Sequence, residues 1–269
     1  MSALEPKFRE EQVDIVRSFI RHHVSASGRR GVVLGLSGGV DSAVVAKLCV
    51  DAIGPARVLA LNLPEGDGGA DLEDARSWAK TLGIEFRVID IAPIVAELEE
   101  ELEAARADRV SRGNLRPRVR MTLLYYVANR DGRLVMGTGN KSELAVGYFT
   151  KWGDGGADFL PIGDLYKTQV REMATHLGVP ERIVRKTPSA GLWAGQTDEA
   201  ELGISYEELD RILLGIELQM DPRTIAEKAG VSLESVERIE AMVSASVHKR
   251  KMPLIPKLGV RTFGLDWRE

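Results

Sequence analysis

The sequence has almost no cysteine and no long apolar run. Cys49 is the single cysteine among 269 residues, which excludes an internal disulfide and a zinc site made of several thiolates. No apolar run approaches the roughly 20 residues of a membrane-spanning helix, and the N-terminus lacks a basic stretch followed by an apolar one. We therefore expect a buried structural thiol and a reducing, cytoplasmic setting.

An excess of charge of either sign is also missing. The chain has 36 Lys and Arg residues against 40 Asp and Glu residues, a formal net charge of −4, which argues against a general nucleic-acid surface. Positive charge for a polyanionic ligand would have to be concentrated in particular segments. The apolar content of 44% is sufficient for a core, and the length fits one large α/β domain or two small ones.

The most informative segment is a turn rich in glycine and serine, Gly35-Leu36-Ser37-Gly38-Gly39-Val40-Asp41-Ser42. An apolar run at 31–36 predicts a buried strand before it, and residues 43–50 predict a helix after it. Free N–H groups at such a helix start bind anions, and the adjacent glycines permit close approach. The carboxylate of Asp41 in this position indicates a metal ion between it and bound phosphates. The alternative is an ordinary glycine-rich turn with a helix cap.

Predicted strands and helices alternate along the first half of the chain. This pattern predicts an α/β fold with a doubly wound parallel sheet, right-handed crossovers and a helical C-terminal appendage. We expect one domain over residues 1–269. The further predicted strands are 57–64, 85–89 and 133–139, and the further predicted helices are 8–24, 71–82 (capped by Asp71 and ended by Gly83), 91–106, 114–127, 165–177, 206–214, 221–228 and 232–251.

Candidate ligand-binding side chains follow the later strands. Thr138 and Glu143 come after the fourth predicted strand, at the carboxyl edge of the sheet, where α/β proteins bind ligands. Asp41 and Glu143 follow different strands and could share one Mg²⁺ with phosphate oxygens, although each alone could be a cap or a surface charge. Lys167 begins a helix, where a cation opposes the helix dipole unless an anion binds nearby.

A second group of cations begins the helix at residue 114. Arg116, Arg118 and Arg120 also oppose the helix dipole, so they indicate an anionic ligand. The alternative is a salt-bridge patch with the preceding acidic helix, 91–106. The acidic face of that helix is itself typical of a solvated surface.

Two irregular segments have the composition of binding loops. Residues 150–158 contain too much glycine for a helix or a central strand, and the alternative to a functional loop is a plain surface turn. Residues 187–199 form a long loop of small residues with one Trp, typical of a lid. His248 and Lys249, near the end of the last predicted helix, either bind an anion or only complement the helix dipole.

Together these segments resemble the NAD synthetase family. The matching motifs, in chain order, are SGGVDS, GTGNKSE, GYFTKWGDGGADFLPIGDLYKTQVRE, PSAGLWAGQTDEAELGISYEELD and HKRKMP. The first motif alone resembles the wider superfamily of adenylating ATP pyrophosphatases, whose fold is Rossmann-like, of the adenine nucleotide α hydrolase type. The resemblance is to the short, ammonia-dependent form and extends from the first helix to about residue 253.

This resemblance implies a reaction and a set of ligands. The reaction is the ATP-dependent amidation of nicotinic acid adenine dinucleotide (deamido-NAD) with ammonia through an NAD-adenylate. It releases AMP and pyrophosphate and is the last step of NAD biosynthesis. A homodimer that shares the dinucleotide site across its interface is also implied.

The resemblance also implies roles for residues of this sequence. Mg²⁺ would be held by Asp41 and Glu143, and Asp154 would help to place the nicotinate or the ammonia. ATP would be bound by Gly35, Leu36, Ser37, Gly38, Gly39, Val40, Asp41, Ser42, Thr138, Lys167 and Ser189, and deamido-NAD by Arg118, Arg120, Lys151, Asp158, His248 and Lys249.

Two segments depart from the family pattern. Residues 140–142 (Asn-Lys-Ser) replace the Asp-His-Ala-Ala form of other branches, and the loop at 64–69 leaves the adenine and ribose contacts unassigned. Glutamine-dependent relatives carry an amidase domain with a Cys nucleophile. We expect no such domain here, because Cys49 is in the wrong context, so free ammonia is the predicted donor unless a separate amidase subunit supplies it.

Three alternatives to this function remain. Two are enzymes of the same superfamily, a GMP synthetase core and a tRNA-thiolating enzyme; the acidic charge and the absence of catalytic cysteines disfavour the second. The third is a nucleotide-binding sensor without turnover. The joint presence of Asp41, Glu143, Lys151 and Lys167 disfavours the sensor, which would not need the metal pair.

Overall fold

A parallel β-sheet forms the centre of the molecule. The structure is a computed structural model, and it describes residues 4–103, 107–189, 191, 193 and 195–262. Within these residues the sheet has four strands in the order β3-β2-β1-β4. The strands are β1 (Gly31–Gly35), β2 (Val58–Asn62), β3 (Glu85–Val88) and β4 (Arg133–Met136). All neighbours run parallel, which confirms the predicted α/β class.

Helices cover both faces of the sheet. Alternate residues of a strand point to opposite faces, so Val32 and Leu34 enter one apolar cluster and Val33 enters another. The first cluster includes side chains of α1 (Glu11–Ala26), α2 (Val40–Ile53), α3 (Gly69–Leu82) and α8 (Lys167–His176). The second includes side chains of α4 (Ala92–Glu101) and α6 (Leu115–Asp131). Burial on both faces explains the continuous apolar runs of β1 and β2.

A third apolar cluster lies in the C-terminal helices and confirms the predicted helical appendage. Its largest fully buried side chain is Tyr206. Ala145 and Val146, close to the sheet, also pack in this cluster, which therefore joins the appendage to the ligand-binding edge. The remaining helices are α5 (Arg109–Gly113), α7 (Lys141–Val146), α9 (Glu181–Val184), α10 (Asp198–Leu202), α11 (Tyr206–Glu217), α12 (Pro222–Ala229) and α13 (Leu233–Ala245), with 3₁₀ turns at Pro55–Arg57 and Val247–Lys249.

Two predicted features at helix starts and strand ends were wrong. Asp71 does not cap α3, because the helix starts at Gly69 and the carboxylate of Asp67 accepts the Gly69 N–H at 3.2 Å. The fourth strand ends at Met136 and not at 139, because its partner β1 ends where the glycine-rich turn begins. Gly83 does end α3, in the left-handed conformation.

The last predicted helix, 232–251, was too long. α13 ends at Ala245, and the chain turns at Ser246, whose hydroxyl donates to the carbonyl of Ala145 at 3.1 Å. Smaller differences are that α1 begins at Glu11, α8 at Lys167, and α11 continues to Glu217. α4 ends at Glu101, and residues 104–106 of its predicted range lie outside the described part of the chain. No helix among the described residues combines the length and apolarity needed to cross a membrane.

Candidate active site

A cleft of about 880 Å³ opens at the carboxyl edge of the sheet. The strand order places β4 beside β1, opposite β2 and β3, so the chain changes direction across the sheet between β1 and β4. Such a switch point leaves a crevice in which α/β proteins bind ligands. Ten of the eleven predicted ATP residues, all but Gly38, line this cleft: Gly35, Leu36, Ser37, Gly39, Val40, Asp41, Ser42, Thr138, Lys167 and Ser189.

The glycine-rich turn is held open toward the cleft by its own hydroxyl groups. The Ser42 hydroxyl accepts the Ser37 N–H at 3.2 Å and donates to the Gly39 carbonyl at 3.0 Å. Gly38 has φ +88°, and a Cβ there would lie 2.3 Å from the carbonyl oxygen of Asp71. Only glycine fits this position. The turn thus delivers the chain to the N-terminus of α2 with N–H groups available for an anion.

Asp41 and Glu143 converge on the ammonium group of Lys167. Its Nζ lies 2.5 Å from Asp41 Oδ2 and 3.4 Å from Glu143 Oε1, and the lysine side chain is 3% exposed. Asn140 donates from Nδ2 to Asp41 Oδ1 at 2.9 Å. Asn140 also caps α7, with its side chain accepting the Glu143 N–H at 3.0 Å. Two carboxylates from different strand ends therefore explain why a cation, Lys167, can stand at the start of α8 against the helix dipole.

The electrostatics of this cluster disfavour a second negative charge beside Lys167. Burial raises the pKa of Glu143 to about 8 despite the attraction of Lys167, and the charge of Asp41 adds to the rise. Burial disfavours the charged form of Lys167, but Asp41 and Glu143 outweigh it and raise the lysine pKa. Two carboxylates thus share one ammonium in a poorly solvated place. Carboxylate oxygens around excess negative charge are the donors that suit a hard divalent cation such as Mg²⁺.

A second part of the cleft is lined by the predicted dinucleotide residues Arg120 and Lys249 and by Asp154. Desolvation by the surrounding cleft raises the pKa of Asp154, although this residue is exposed to solvent; its carboxylate accepts the Thr150 N–H at 2.8 Å. Burial lowers the pKa of Arg120. The two cations and the aspartate therefore line a partly desolvated wall of the cleft.

Four other predicted dinucleotide residues do not line the cleft of a single chain, and they stay predictions. Arg118 is exposed, because it lies two residues from both Arg116 and Arg120 on α6 and so points away from the face that they share. Lys151 donates to the carbonyl of His248 at 2.7 Å, and His248 itself is exposed. The carboxylate of Asp158 accepts the Val135 N–H at 2.8 Å.

The salt-bridge alternative for the arginine cluster is correct for Arg116. Its guanidinium lies 2.5 Å from Glu65 and 3.3 Å from Glu99 of α4. Arg120 instead donates to the carbonyl of Leu63 at 3.0 Å. The three arginines therefore have three different environments, which their spacing in the sequence could not distinguish.

Sequence reasoning missed two charged residues that line the cleft. Lys186 donates to the carbonyl of Gly38 at 3.0 Å and pairs with Asp71 at 2.8 Å, so it supports the glycine-rich turn from outside. Asp198 begins α10 and is 4% exposed; its Oδ2 accepts from the Tyr206 hydroxyl at 3.1 Å, and its Oδ1 has no hydrogen-bond partner among the described residues. The sequence did contain a signal for Asp198, because this residue lies at the end of the long loop, where a helix starts.

The long loop before α10 is described only in part. Ser189, Gly191 and Trp193 line the cleft, and the guanidinium of Arg109 lies 4.0 Å from the centre of the Trp193 ring. The remaining members of the predicted lid, Ala190, Leu192 and Ala194, lie outside the described residues. Across the described ranges, no three His, Cys, Asp or Glu side chains form a group that could hold a metal ion.

Comparisons with known proteins match most of this chain. The family model described as NAD synthase matches residues 12–253. A curated relative from Archaeoglobus fulgidus, described as NH(3)-dependent NAD(+) synthetase, is 54% identical over 93% of this chain and 97% of its own length. A relative from Methanosarcina mazei with the same description is 49% identical over 89% of this chain and 95% of its own length.

Two solved structures are similar to the fold over nearly their whole length. One is described as NMN synthetase from Francisella tularensis; it has a TM-score of 0.82 and 37% identity and covers 94% of this chain and 100% of its own. The other is described as NH3-dependent NAD synthetase from Campylobacter jejuni; it has a TM-score of 0.78 and 32% identity and covers 92% of this chain and 98% of its own.

Proposed function

The chain belongs to the NAD synthase family, and from that premise we propose that its cleft joins ammonia to the nicotinate carboxyl of nicotinic acid adenine dinucleotide, using ATP. The activity is that of a ligase that forms a C–N bond. The observation that carries the proposal is the convergence of Asp41 and Glu143 on the buried ammonium of Lys167, beside a glycine-rich turn at a helix start. That arrangement suits a nucleotide polyphosphate.

We propose that the glycine-rich turn holds the ATP phosphates and then the pyrophosphate. The N–H groups at the start of α2 face the same cleft as the hydroxyls of Thr138 and Ser189, which would add hydrogen bonds to ATP. Lys167 would neutralise phosphate charge from the opposite side. A preorganised set of donors of this kind stabilises charge that develops as a phosphoanhydride bond breaks.

Mg²⁺ fits the carboxylate pair. Asp41 and Glu143 would be its protein ligands, because they bring hard oxygen donors together where the raised pKa of Glu143 shows that a further cation is needed to keep both carboxyl groups ionised. The ion would supply neutralisation of phosphate charge. Phosphate oxygens of ATP would complete its coordination.

The reaction that we propose has two steps. An oxygen of the nicotinate carboxylate attacks the α-phosphorus of ATP, a P–O bond forms, and the bond to the departing pyrophosphate breaks. Ammonia then attacks the acyl carbon, and the C–O bond to AMP breaks as the nitrogen loses a proton. The protein's part is mainly positioning, for which Arg120 and Lys249 on the second wall of the cleft would hold the dinucleotide and Asp154 the nicotinate or ammonia.

We further propose a homodimer. Arg118 and His248 are exposed in the single chain, and Lys151 and Asp158 do not line its cleft, so these four would reach a dinucleotide only if a second copy brought its cleft to them. Free ammonia is the proposed nitrogen source, which is supported by the description of the curated relatives. The buried thiol of Cys49 fits a reducing cytoplasm.

A shorter acceptor is the second candidate. The structure from Francisella tularensis, at 37% identity and a TM-score of 0.82, is described as NMN synthetase, so nicotinic acid mononucleotide could replace the dinucleotide. The two acceptors share the nicotinate carboxylate and one phosphate, and they differ in the adenylate half. The cleft residues that we assign to the nicotinate carboxylate would serve either acceptor.

One assay tests these proposals together. Purified protein is incubated with MgATP, ammonium and either acceptor, and products are separated by chromatography. We expect NAD and AMP in equal amounts, with the dinucleotide preferred. Formation of ADP in place of AMP, or preference for xanthylate as acceptor, would contradict the proposal. Preference for the mononucleotide would replace the first candidate with the second.

A further inference from the structure

A fully buried carboxylate lies close to the group formed by Lys167, Asp41 and Glu143, on the side away from the cleft. Asp210, on α11, is 0% exposed and does not line the cleft. Both of its oxygens accept hydrogen bonds. Oδ1 accepts from the Ser142 hydroxyl, and Oδ2 accepts from the Thr168 N–H at 2.9 Å and the Thr168 hydroxyl at 2.8 Å.

These bonds determine where α8 begins. The first N–H groups of a helix have no partner within the helix and need acceptors from elsewhere. The Ser142 hydroxyl accepts the Lys167 N–H at 2.9 Å, and Asp210 accepts the next one, that of Thr168. Ser142 thus accepts from Lys167 and donates to Asp210. A carboxylate at a helix N-terminus is also favoured by the helix dipole.

The Asp210 carboxylate also contacts α7, the helix that carries Glu143. Ser142 lies on α7, next to Glu143, whereas Lys167 is the first residue of α8. Asp210 therefore joins the Ser142 hydroxyl of α7 to the backbone of α8. Side chains of these two helices must meet at 3.4 Å, the distance from Lys167 Nζ to Glu143 Oε1. Asp210 comes from the helical appendage, 68 residues after Ser142.

We propose that Asp210 is a positioning residue for the adenylation reaction. It touches neither nucleotide nor metal, and it acts through Ser142 and the start of α8 to set Lys167 and Glu143 at the spacing that MgATP requires. The inference rests on the proposed function, because it concerns the same phosphate site. Groups that orient the ligands of a metal site usually change activity or metal affinity by about 10- to 100-fold when they are removed.

A matched control separates positioning from stability. Tyr166 donates from its hydroxyl to Glu217 at 2.5 Å, a second bond between the start of α8 and α11. This bond does not involve the N–H of Lys167. The same Glu217 oxygen also accepts from Lys141 of α7 at 2.8 Å, and that second bond remains in Tyr166→Phe. Tyr166→Phe therefore removes a tie between the same two helices and leaves the Asp210 contacts intact.

The experiment compares Asp210→Asn, Ser142→Ala and Tyr166→Phe. MgATP affinity is measured by calorimetry without acceptor, kcat and KM for MgATP are measured in the NAD-forming assay, and thermal unfolding is followed in parallel. We expect Asp210→Asn to lower kcat/KM for MgATP by about 10- to 100-fold and Ser142→Ala by several-fold, in the same direction. Tyr166→Phe should stay within about 3-fold of the wild type even where its Tm falls equally.

A double variant tests whether Asp210 acts through Lys167. In a Lys167→Met background, Asp210→Asn should cause a clearly smaller loss of kcat/KM than in the wild type, because the spacing of Lys167 and Glu143 that it sets no longer exists. Multiplicative losses would overturn the proposal, as would a wild-type kcat/KM in folded Asp210→Asn.

Misfolding of Asp210→Asn and absence of NAD formation by the wild type would have different consequences for the proposal. If Asp210→Asn does not fold, Ser142→Ala decides, and a wild-type kcat/KM in that variant would overturn the proposal. Absence of NAD formation by the wild type would instead defeat the proposed function, while the MgATP affinities would still test Asp210.

Discussion

Replacing Lys167 by methionine removes the one ammonium that lies between Asp41 and Glu143. The lysine side chain is 3% exposed, and its Nζ lies 2.5 Å from Asp41 and 3.4 Å from Glu143. Methionine keeps most of the apolar stem and leaves two partly buried carboxylates facing each other. Removing one partner of a buried ion pair costs about 3–5 kcal/mol of unfolding free energy. For a chain of this size we expect Tm to fall by roughly 10 °C.

The control is Lys47→Met, which removes another lysine with an aspartate partner at 2.5 Å. That pair, with Asp51, is partly exposed, with the lysine side chain 26% exposed, and Asp51 keeps Arg17 as a second partner. Its loss should therefore cost less than about 1 kcal/mol. Calorimetry in Mg²⁺-free buffer gives both Tm values. Equal Tm losses in the two variants would refute the electrostatic account of the cluster.

Two additions sharpen this test. Asp41→Asn in the Lys167→Met background removes one uncompensated charge, so part of the lost stability should return without any recovery of kcat/KM. Added Mg²⁺ should raise the Tm of Lys167→Met, because a divalent cation replaces the missing charge. If Mg²⁺ has no effect on that variant, the carboxylate pair is not a metal site.

Three further predictions concern the same edge of the sheet. Asp41→Asn should lower kcat by about 100-fold or more and change Tm little, and equal losses of turnover and stability would make Asp41 a structural cap. Gly38→Ala should weaken MgATP binding by at least about 10-fold, because residue 38 has φ +88° and its new Cβ would lie 2.3 Å from a carbonyl oxygen. The new Cβ of Gly39→Ala would lie 3.4 Å from its nearest neighbour, so this variant should bind MgATP nearly normally. Burial raises the pKa of Glu143 from 4.5 to about 8, so between these values the unfolded chain loses a proton that the folded chain keeps, and the unfolding free energy falls as pH rises. Urea unfolding in EDTA should show this slope in the wild type and a flatter one in Glu143→Gln; parallel curves would contradict it.

The strands and most of the helices could be predicted because their signals are local. The apolar runs of β1 and β2 follow from burial on both faces of a parallel sheet, and Gly83 ends α3 at a left-handed position that glycine favours. Where bounds were wrong, a distant group decided them. α13 stops at Ala245 because Ser246 bonds to the carbonyl of Ala145, about a hundred residues earlier.

The candidate site could be predicted in outline. Asp41 and Glu143 follow different strands, and parallel strands bring their carboxyl ends to one edge, so their proximity was expected from topology alone. Their shared ion pair with Lys167 was not, since Lys167 is 126 residues from Asp41 and reaches it through the packing of α8 on the sheet.

By itself, the sequence determined the class of fold, the glycine-rich turn and the family, because these depend on residue types at short spacing. Tertiary structure alone decided which charges meet. It turns Arg120 toward the cleft and Arg118 away, and it brings Asp198 to the wall of the cleft and Asp210 to the start of α8. The physical reason is that a buried charge is stable only beside its partner, and the partners here come together only when separate helices pack on the same edge of the sheet.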